Sequence, residues 1–363
     1  MHIIVGTLSR YIGLRCLRTL LLVFFSIFFL VMLIDYIELM RRTNDIPGVS
    51  ALLVLKTSLY RVPQVTERIM AFCVLIGTMI CYLDLSRRLE LVIARSAGLS
   101  AWQFVAPGLM VAFLFGVAAT AIYNPLSAIL DERSKRLEAE LFKQDKDAAN
   151  GSNYWTSQRT NEGTAIINAK TSRDQGINLN GVTVFTFDNN GQFKQRIEAR
   201  SATLEPGVWE LRDARTNELG VLPVTLPLFR LKTSLTPEQV RESFATPETV
   251  PFWDLPLYIK IADHAGLAAA GYKLQFQKLL ARPFLMAAMV LLAAAVSLRF
   301  FRFGGVQKMV LSGMLAGFLL YVLSKVTEDL STADLMQPVA AAWLPVIAGG
   351  VTGFIALLYQ EDG

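Results

Sequence analysis

Residues 19–39 read TLLLVFFSIFFLVMLIDYIEL. The first sixteen positions carry no charge, and the run has the ~20-residue length a helix needs to cross a bilayer core of ~30 Å. Five further runs have the same character: 62–83, 101–123, 279–298, 306–326 and 339–359. The fourth is interrupted at its outer end by Arg282 and Pro283. Composition agrees, with 53% hydrophobic and only 18% charged residues and a mean hydropathy of +0.41. A soluble domain carries about 25% charge. The first run is too long for a signal-peptide core and no small-residue cleavage site follows it, so it reads as an anchor. Ahead of it, residues 1–18 interleave apolar side chains with Arg10, Arg15 and Arg18, the pattern of an amphipathic helix on the membrane surface.

Between the third and fourth runs the character changes. Residues 181–188 (GVTVFTFD) alternate apolar and polar, and Asn190-Gly191 is a hairpin turn signal. A second strand follows through Phe193, Ile197 and Ala199. Pro206-Gly207 then punctuates, and Trp209 and Leu211 resume the alternation. Short strands with regular turns imply a jelly roll or sandwich. The expected fold is therefore an α-helical polytopic membrane protein of six transmembrane helices with an inserted all-β, jelly-roll-like domain. Its parts are 1–130, 131–248 and 249–363. Residues 249–275 read as an amphipathic return, with Trp253, Leu257, Tyr258 and Ile261 on an apolar side. Trp155 and Trp209 read as core anchors of the insert.

Net charge is +5. Residues 131–246 hold 16 Lys/Arg and 16 Asp/Glu, so the surplus belongs to the membrane part. It reads as topology charge and not as a nucleic-acid surface. Arg10, Arg15 and Arg18, then Arg87, Arg88 and Arg95, then Arg299, Arg302 and Lys308 mark cytoplasmic segments. The connection after the first run breaks this rule: it carries Arg41, Arg42, Lys56 and Arg61 yet must face outward. Of the three cysteines, Cys16, Cys73 and Cys81, none lies in the insert, so no disulfide framework is indicated.

Enzymatic motifs are missing. The two histidines, His2 and His264, are far apart, and no GxSxG, HExxH or GxxxxGK[ST] occurs. An ATP-driven protein of this sequence needs a separate nucleotide-binding subunit. Residues 86–100 (SRRLELVIARSAGLS) are too polar to span and fit one short helix over 86–98. Leu89, Leu91, Ile93 and Ala97 can pack on a partner, with Glu90 and Arg95 flanking and Gly98 ending the helix. Docking into such a subunit and a plain connecting helix both fit. Arg41 and Arg42 fit either interface anchors or receptors for an anion, which guanidinium binds through bidentate hydrogen bonds. Arg133, Lys135 and Arg136 fit either the same ring or a solvated helix face. Glu67 and Arg68, inside the second run, fit a lined cavity or a helix-to-helix ion pair.

Long ordered blocks also resemble a known family: LSRYIGLRCLRTLLLVFF with DYIELMRR after it, LELVIARSAGLS, FWDLPLYIKIADHAGLAAAGYKLQFQKLLARPF and LSKVTEDLSTADLMQPVAAAWLPV. They are similar to the LptF/LptG permeases of the lipopolysaccharide export ABC transporter, nearer the LptG branch. The stretch IEARSATLEPGVWEL resembles the strands of that pathway's jelly-roll bridge domains. The resemblance implies a heterodimer with an LptF-like second permease, powered by an LptB-like ATPase dimer that binds ATP and Mg. This chain itself is expected to bind no cofactor or metal. It further implies delivery of lipopolysaccharide to an LptC-like jelly-roll bridge. The location implied is the inner membrane of a Gram-negative bacterium, with both termini cytoplasmic and the β domain periplasmic. Glu90 matches the coupling-helix glutamate that meets the ATPase, with Leu91, Arg95 and Gly98 in the same helix. Arg41 and Arg42 match the basic residues that face the lipid's phosphates, joined by Arg133 and Arg136. Two other classes stand beside this one. A secondary lipid transporter calls for internal repeats and buried carboxylates, and neither a clear repeat nor an acid deep in a span is present. A non-transporting scaffold would make Arg41 and Arg42 dispensable.

Overall fold

A computed structural model describes residues 6–44, 50–90, 93, 96, 100–141, 154–160, 163–173, 177–188, 192–218, 222–233, 247–264, 269–301 and 305–361. Helices α1 (Thr7–Thr43), α2 (Ala51–Arg87) and α3 (Ala101–Ala118) come first. A π-helical turn (Ala119–Tyr123) joins α3 to α4 (Asn124–Leu141). Six strands follow: β1 (Tyr154–Thr160), β2 (Gly163–Arg173), β3 (Asn178–Phe187), β4 (Phe193–Glu205), β5 (Val208–Glu218) and β6 (Val224–Lys232). After a 3-10 turn at Pro247–Thr249 come α5 (Leu255–His264), α6 (Ala270–Phe301), α7 (Val306–Thr332) and α8 (Pro338–Glu361). The chain divides into two compact units. One holds Met1–Glu138, Pro251–Trp253 and Lys273–Gly363; the other holds Ala139–Val250 and Asp254–Tyr272. The expected boundary at 130 falls inside α4.

Six helical segments are long and apolar enough to cross a membrane: α1, α2, α3 continuing into α4, α6, α7 and α8. They occupy the six runs read from the sequence, but several are longer. α1 and α2 each have 37 residues, about 55 Å at 1.5 Å per residue, well beyond the bilayer core. α1 also corrects the expected surface helix over 1–18. From Thr7 onward the chain is one uninterrupted helix, because Ile12 and Cys16 bury their side chains with Tyr82, Leu85 and Phe104. Residues 1–5 lie outside the described segments.

α2 and α6 are the central helices, and α1 and α7 leave most of their surface open. The main core gathers Leu20, Phe24, Met70, Leu75, Met286 and Val290. The ends of the helices are defined locally. Ser50 Oγ accepts from Leu52 N at 3.3 Å to cap α2. Ser100 N donates to Gln103 Oε1 at 3.3 Å at the head of α3, and Pro338 opens α8 where its missing N–H costs nothing. In membranes helices associate by close packing, and α3 approaches the backbone of α6 closely. A β-carbon added at Gly116 would lie 2.5 Å from Pro283 Cα, a backbone atom that cannot swing away. Gly116→Ala is expected to cost roughly 1–3 kcal/mol by forcing the helices apart. Gly350→Ala, with nothing within 4 Å, is expected to leave the melting temperature in detergent unchanged. Equal melting of the two variants would refute the packing argument.

The inserted strands form one antiparallel sheet in chain order, β1-β2-β3-β4-β5-β6. The Pro206-Gly207 signal becomes the β4–β5 turn, with Gly207 at φ +80°, where a glycine carries no steric penalty. Alternate residues bury one face, among them Ile167, Leu179, Val184, Ile197, Leu204 and Leu211. The sheet is rolled over this face. β1 and β5 are four strand spacings apart, about 19 Å if flat. Yet Trp209 Nε1 donates to Gln158 Oε1 at 3.2 Å and Thr233 Oγ1 donates to the same oxygen at 2.7 Å. The insert is thus all-β with an apolar interior, as expected, and its described strands connect as a meander. Trp209 is the core anchor expected; the Trp155 side chain lies outside the described residues.

Candidate functional site

Three polar groupings stand out in the helical unit. The first is buried. Glu67 of α2 accepts from Arg282 Nη1 of α6 at 2.6 Å and from Asn124 Nδ2 of α4 at 2.8 Å, both at Oε1. Its Oε2 accepts from Ser127 Oγ. Asn124 Oδ1 accepts in turn from Phe252 N at 2.9 Å. The π turn before Asn124 leaves the Ala121 carbonyl to the Trp253 indole, at 3.1 Å. Of the two sequence readings of Glu67, the helix-to-helix ion pair is the one formed.

The second grouping lies at the C-terminal end of α1. Arg41 and Arg42 are exposed and share one carboxylate, Glu38, at 2.9 and 2.8 Å. Such exposed pairs hold their partners weakly, so the guanidinium groups are open to an anion. Arg61 of α2 approaches Asp35 of α1 at 3.5 Å and Glu138 of α4 at 3.8 Å. That bridge brings the ends of α1 and α4 to the start of α2. Arg133 and Arg136 lie exposed on α4, Arg136 paired with Glu132 one turn away. The exposed cations of α1 and α4 therefore border one end of the unit, each pair on its own helix.

The third grouping is at the opposite end, about 39 Å along α1 from Arg41. Arg15 Nη1 donates to both oxygens of Glu90, at 2.9 and 3.1 Å, and Nη2 donates to Asp84 Oδ2 at 2.5 Å. Tyr11 OH lies 2.5 Å from the same Nη1. The helix expected over 86–98 does not start at 86. Residues 86 and 87 still belong to α2, and the chain turns a corner at Arg88 and Leu89 before helical geometry resumes at Glu90. Leu89 sits at φ +61° there. Leu91, Arg95 and Gly98 lie outside the described residues. Among the described residues no three metal-ligating side chains gather.

The model of the family described as lipopolysaccharide export system permease LptF/LptG matches residues 10–359. The chain belongs to that family. Curated relatives include the lipopolysaccharide export system permease proteins LptG of Escherichia coli K12 and of Haemophilus influenzae. Each is 22% identical to this chain; the first alignment covers 94% of both chains, the second 94% of this chain and 95% of the relative. As an LptF/LptG permease, the chain is a multi-pass membrane protein whose β insert sits between two sets of three candidate spans. Sequence reading assigns Arg41 and Arg42, and by resemblance Arg133 and Arg136, to one region. It reads Arg15 as topology charge within an amphipathic surface pattern, and Arg282 only as an interruption of span four. A signal for Arg15 was present: it is a charge on the same helical stripe as Ile12 and Cys16, which are buried.

Proposed function

We propose that this LptF/LptG permease extracts lipopolysaccharide from the outer leaflet of the inner membrane and passes it to a periplasmic β bridge. The observation that carries the reading is the set of exposed guanidinium groups, Arg41 and Arg42, paired among the described residues with Glu38 at the end of a helix whose apolar surface is largely open. An amphiphile with several acyl chains needs an apolar surface open from the side. Its anionic head needs cations at the interface, and arginine donates bidentate hydrogen bonds to phosphate. Arg133 and Arg136 are assigned to the same headgroup. Each CH₂ left in water costs ~0.8 kcal/mol, so an exit path needs cover, and a rolled sheet with an apolar face supplies it. No nucleotide-binding motif occurs in the sequence, so ATP and Mg belong to a partner ATPase dimer. Leu89 and Ile93, exposed and one helical turn apart, with Glu90, Leu91, Arg95 and Gly98, form the coupling segment toward it. A second permease and an LptC-like bridge protein complete the assembly, with both termini in the cytoplasm and the insert in the periplasm.

The test is lipopolysaccharide release from proteoliposomes holding the whole complex. Arg41→Ala with Arg42→Ala is expected to lower release at least about tenfold, the scale of one charge-assisted contact of ~1.5–3 kcal/mol, with ATPase activity retained. Normal release from a fully assembled double variant would leave the scaffold class standing instead.

A further inference from the structure

The corner after α2 is built in an unusual way. Leu89 adopts a left-handed backbone at φ +61°, which crowds its β-carbon against the following carbonyl. Residues other than glycine stay there only when their surroundings hold them. Packing of Leu89 itself does not, because its side chain is 57% exposed. Local backbone bonds contribute: Leu89 N donates to Ser86 O at 3.0 Å and Ile93 N to Leu89 O at 3.0 Å. A further constraint comes from 75 residues away in sequence. Arg15 lies only 14% exposed and divides its guanidinium between Asp84, before the corner, and Glu90, after it. Two carboxylates brought to one guanidinium repel each other once it is gone. Arg15 therefore closes the corner, and its removal drives the two sides apart. Arg88 Nε also reaches Asp84, at 3.3 Å, but it sits within the corner and cannot tie the corner to α1.

We propose that Arg15 is a positioning residue of this permease: by bridging Asp84 and Glu90 it makes the strained corner at Leu89 a stiff joint, through which movement of the segment beginning at Glu90 is carried into the first and second spans. The proposal rests on the reading of that segment as the contact with a partner ATPase. A guanidinium suits the task because its planar fork serves two carboxylates at once, whereas an ammonium is a point charge. Arg15→Lys should therefore keep the charge and lose most of the bridging.

The experiment uses the reconstituted complex and reads ATP hydrolysis and lipopolysaccharide release in the same vesicles. Arg15→Gln is expected to leave ATPase activity within about twofold while release falls about tenfold, the scale of one lost charge-assisted contact. Arg15→Lys should fall between. Equal losses of both readouts in Arg15→Gln, or no loss in either, would overturn the joint. Spin labels at Leu8 and Ser96, both exposed, test it independently of transport. Their distance distribution is expected to be narrow in the parent chain and broad in Arg15→Gln. Identical widths refute the joint even where release persists. A parent complex that shows no ATP-dependent release, but in which the distribution broadens on mutation, refutes the transport reading and leaves the joint in place.

Discussion

Replacing Arg282 by methionine should cost the folded membrane unit about 3–5 kcal/mol, the scale measured when one partner of a buried ion pair is removed. Glu67 is only 5% exposed, and without Arg282 the donors described at its carboxylate are the neutral Asn124 and Ser127. A charge so placed must acquire a proton or pull water inward, and both disturb the meeting of α2, α4 and α6. The melting temperature in detergent is expected to fall on the order of 10 °C. The second variant decides the cause. Adding Glu67→Gln to Arg282→Met removes the uncompensated charge while the amide oxygen still accepts from Asn124. The pair should then recover part of the loss, giving a coupling of roughly 1–3 kcal/mol in the double-mutant cycle. Simple additivity of the two changes would mean that the ion pair does not hold these helices.

Trp209→Ala should cost the inserted sheet a comparable 3–5 kcal/mol, the usual range for truncating a buried aromatic core residue. Trp209 is 1% exposed and heads the fully buried side chains by volume. Its indole is also one of two donors holding Gln158 across the roll. The loss should therefore be read in β1 and β5 together. Amide hydrogen exchange of both strands in the intact protein is expected to accelerate by roughly two to four orders of magnitude. Trp209→Phe retains most of the volume and loses the donor, so it should fall about 1–2 kcal/mol short of the parent. Acceleration confined to β5, with β1 unchanged, would show that the roll is held closed by something other than the Trp209–Gln158–Thr233 link.

Much of the architecture is legible in local pattern. An apolar run near twenty residues has few alternatives to a spanning helix, because a bilayer leaves no water for backbone groups. Alternation over 181–188 and the Pro206-Gly207 turn likewise describe strands β3 to β5 through neighbours in sequence. The amphipathic pattern before the first span misleads for the same reason. Interleaved arginines describe a helix but not what lies against it, and here Ile12 and Cys16 meet the bundle while Arg15 meets two carboxylates. The helix expected from residue 86 begins later than the pattern suggests, because α2 runs on to Arg87. The corner at Leu89 uses a left-handed residue of a type that carries no turn signal.

The sequence by itself determined the six apolar helices, the β insert between the third and fourth, the absence of a nucleotide-binding motif and the family. Each of these rests on composition or on order along the chain. Only the tertiary structure decided which charges meet: Glu67 with Arg282 across 215 residues, Arg15 with Glu90 across 75, and Gln158 with Trp209 across 51. Arginine and glutamate have the same local preferences whether they are solvated or paired. Their partners follow from how helices and strands pack in space, which is a property of the assembled core and not of any window of sequence.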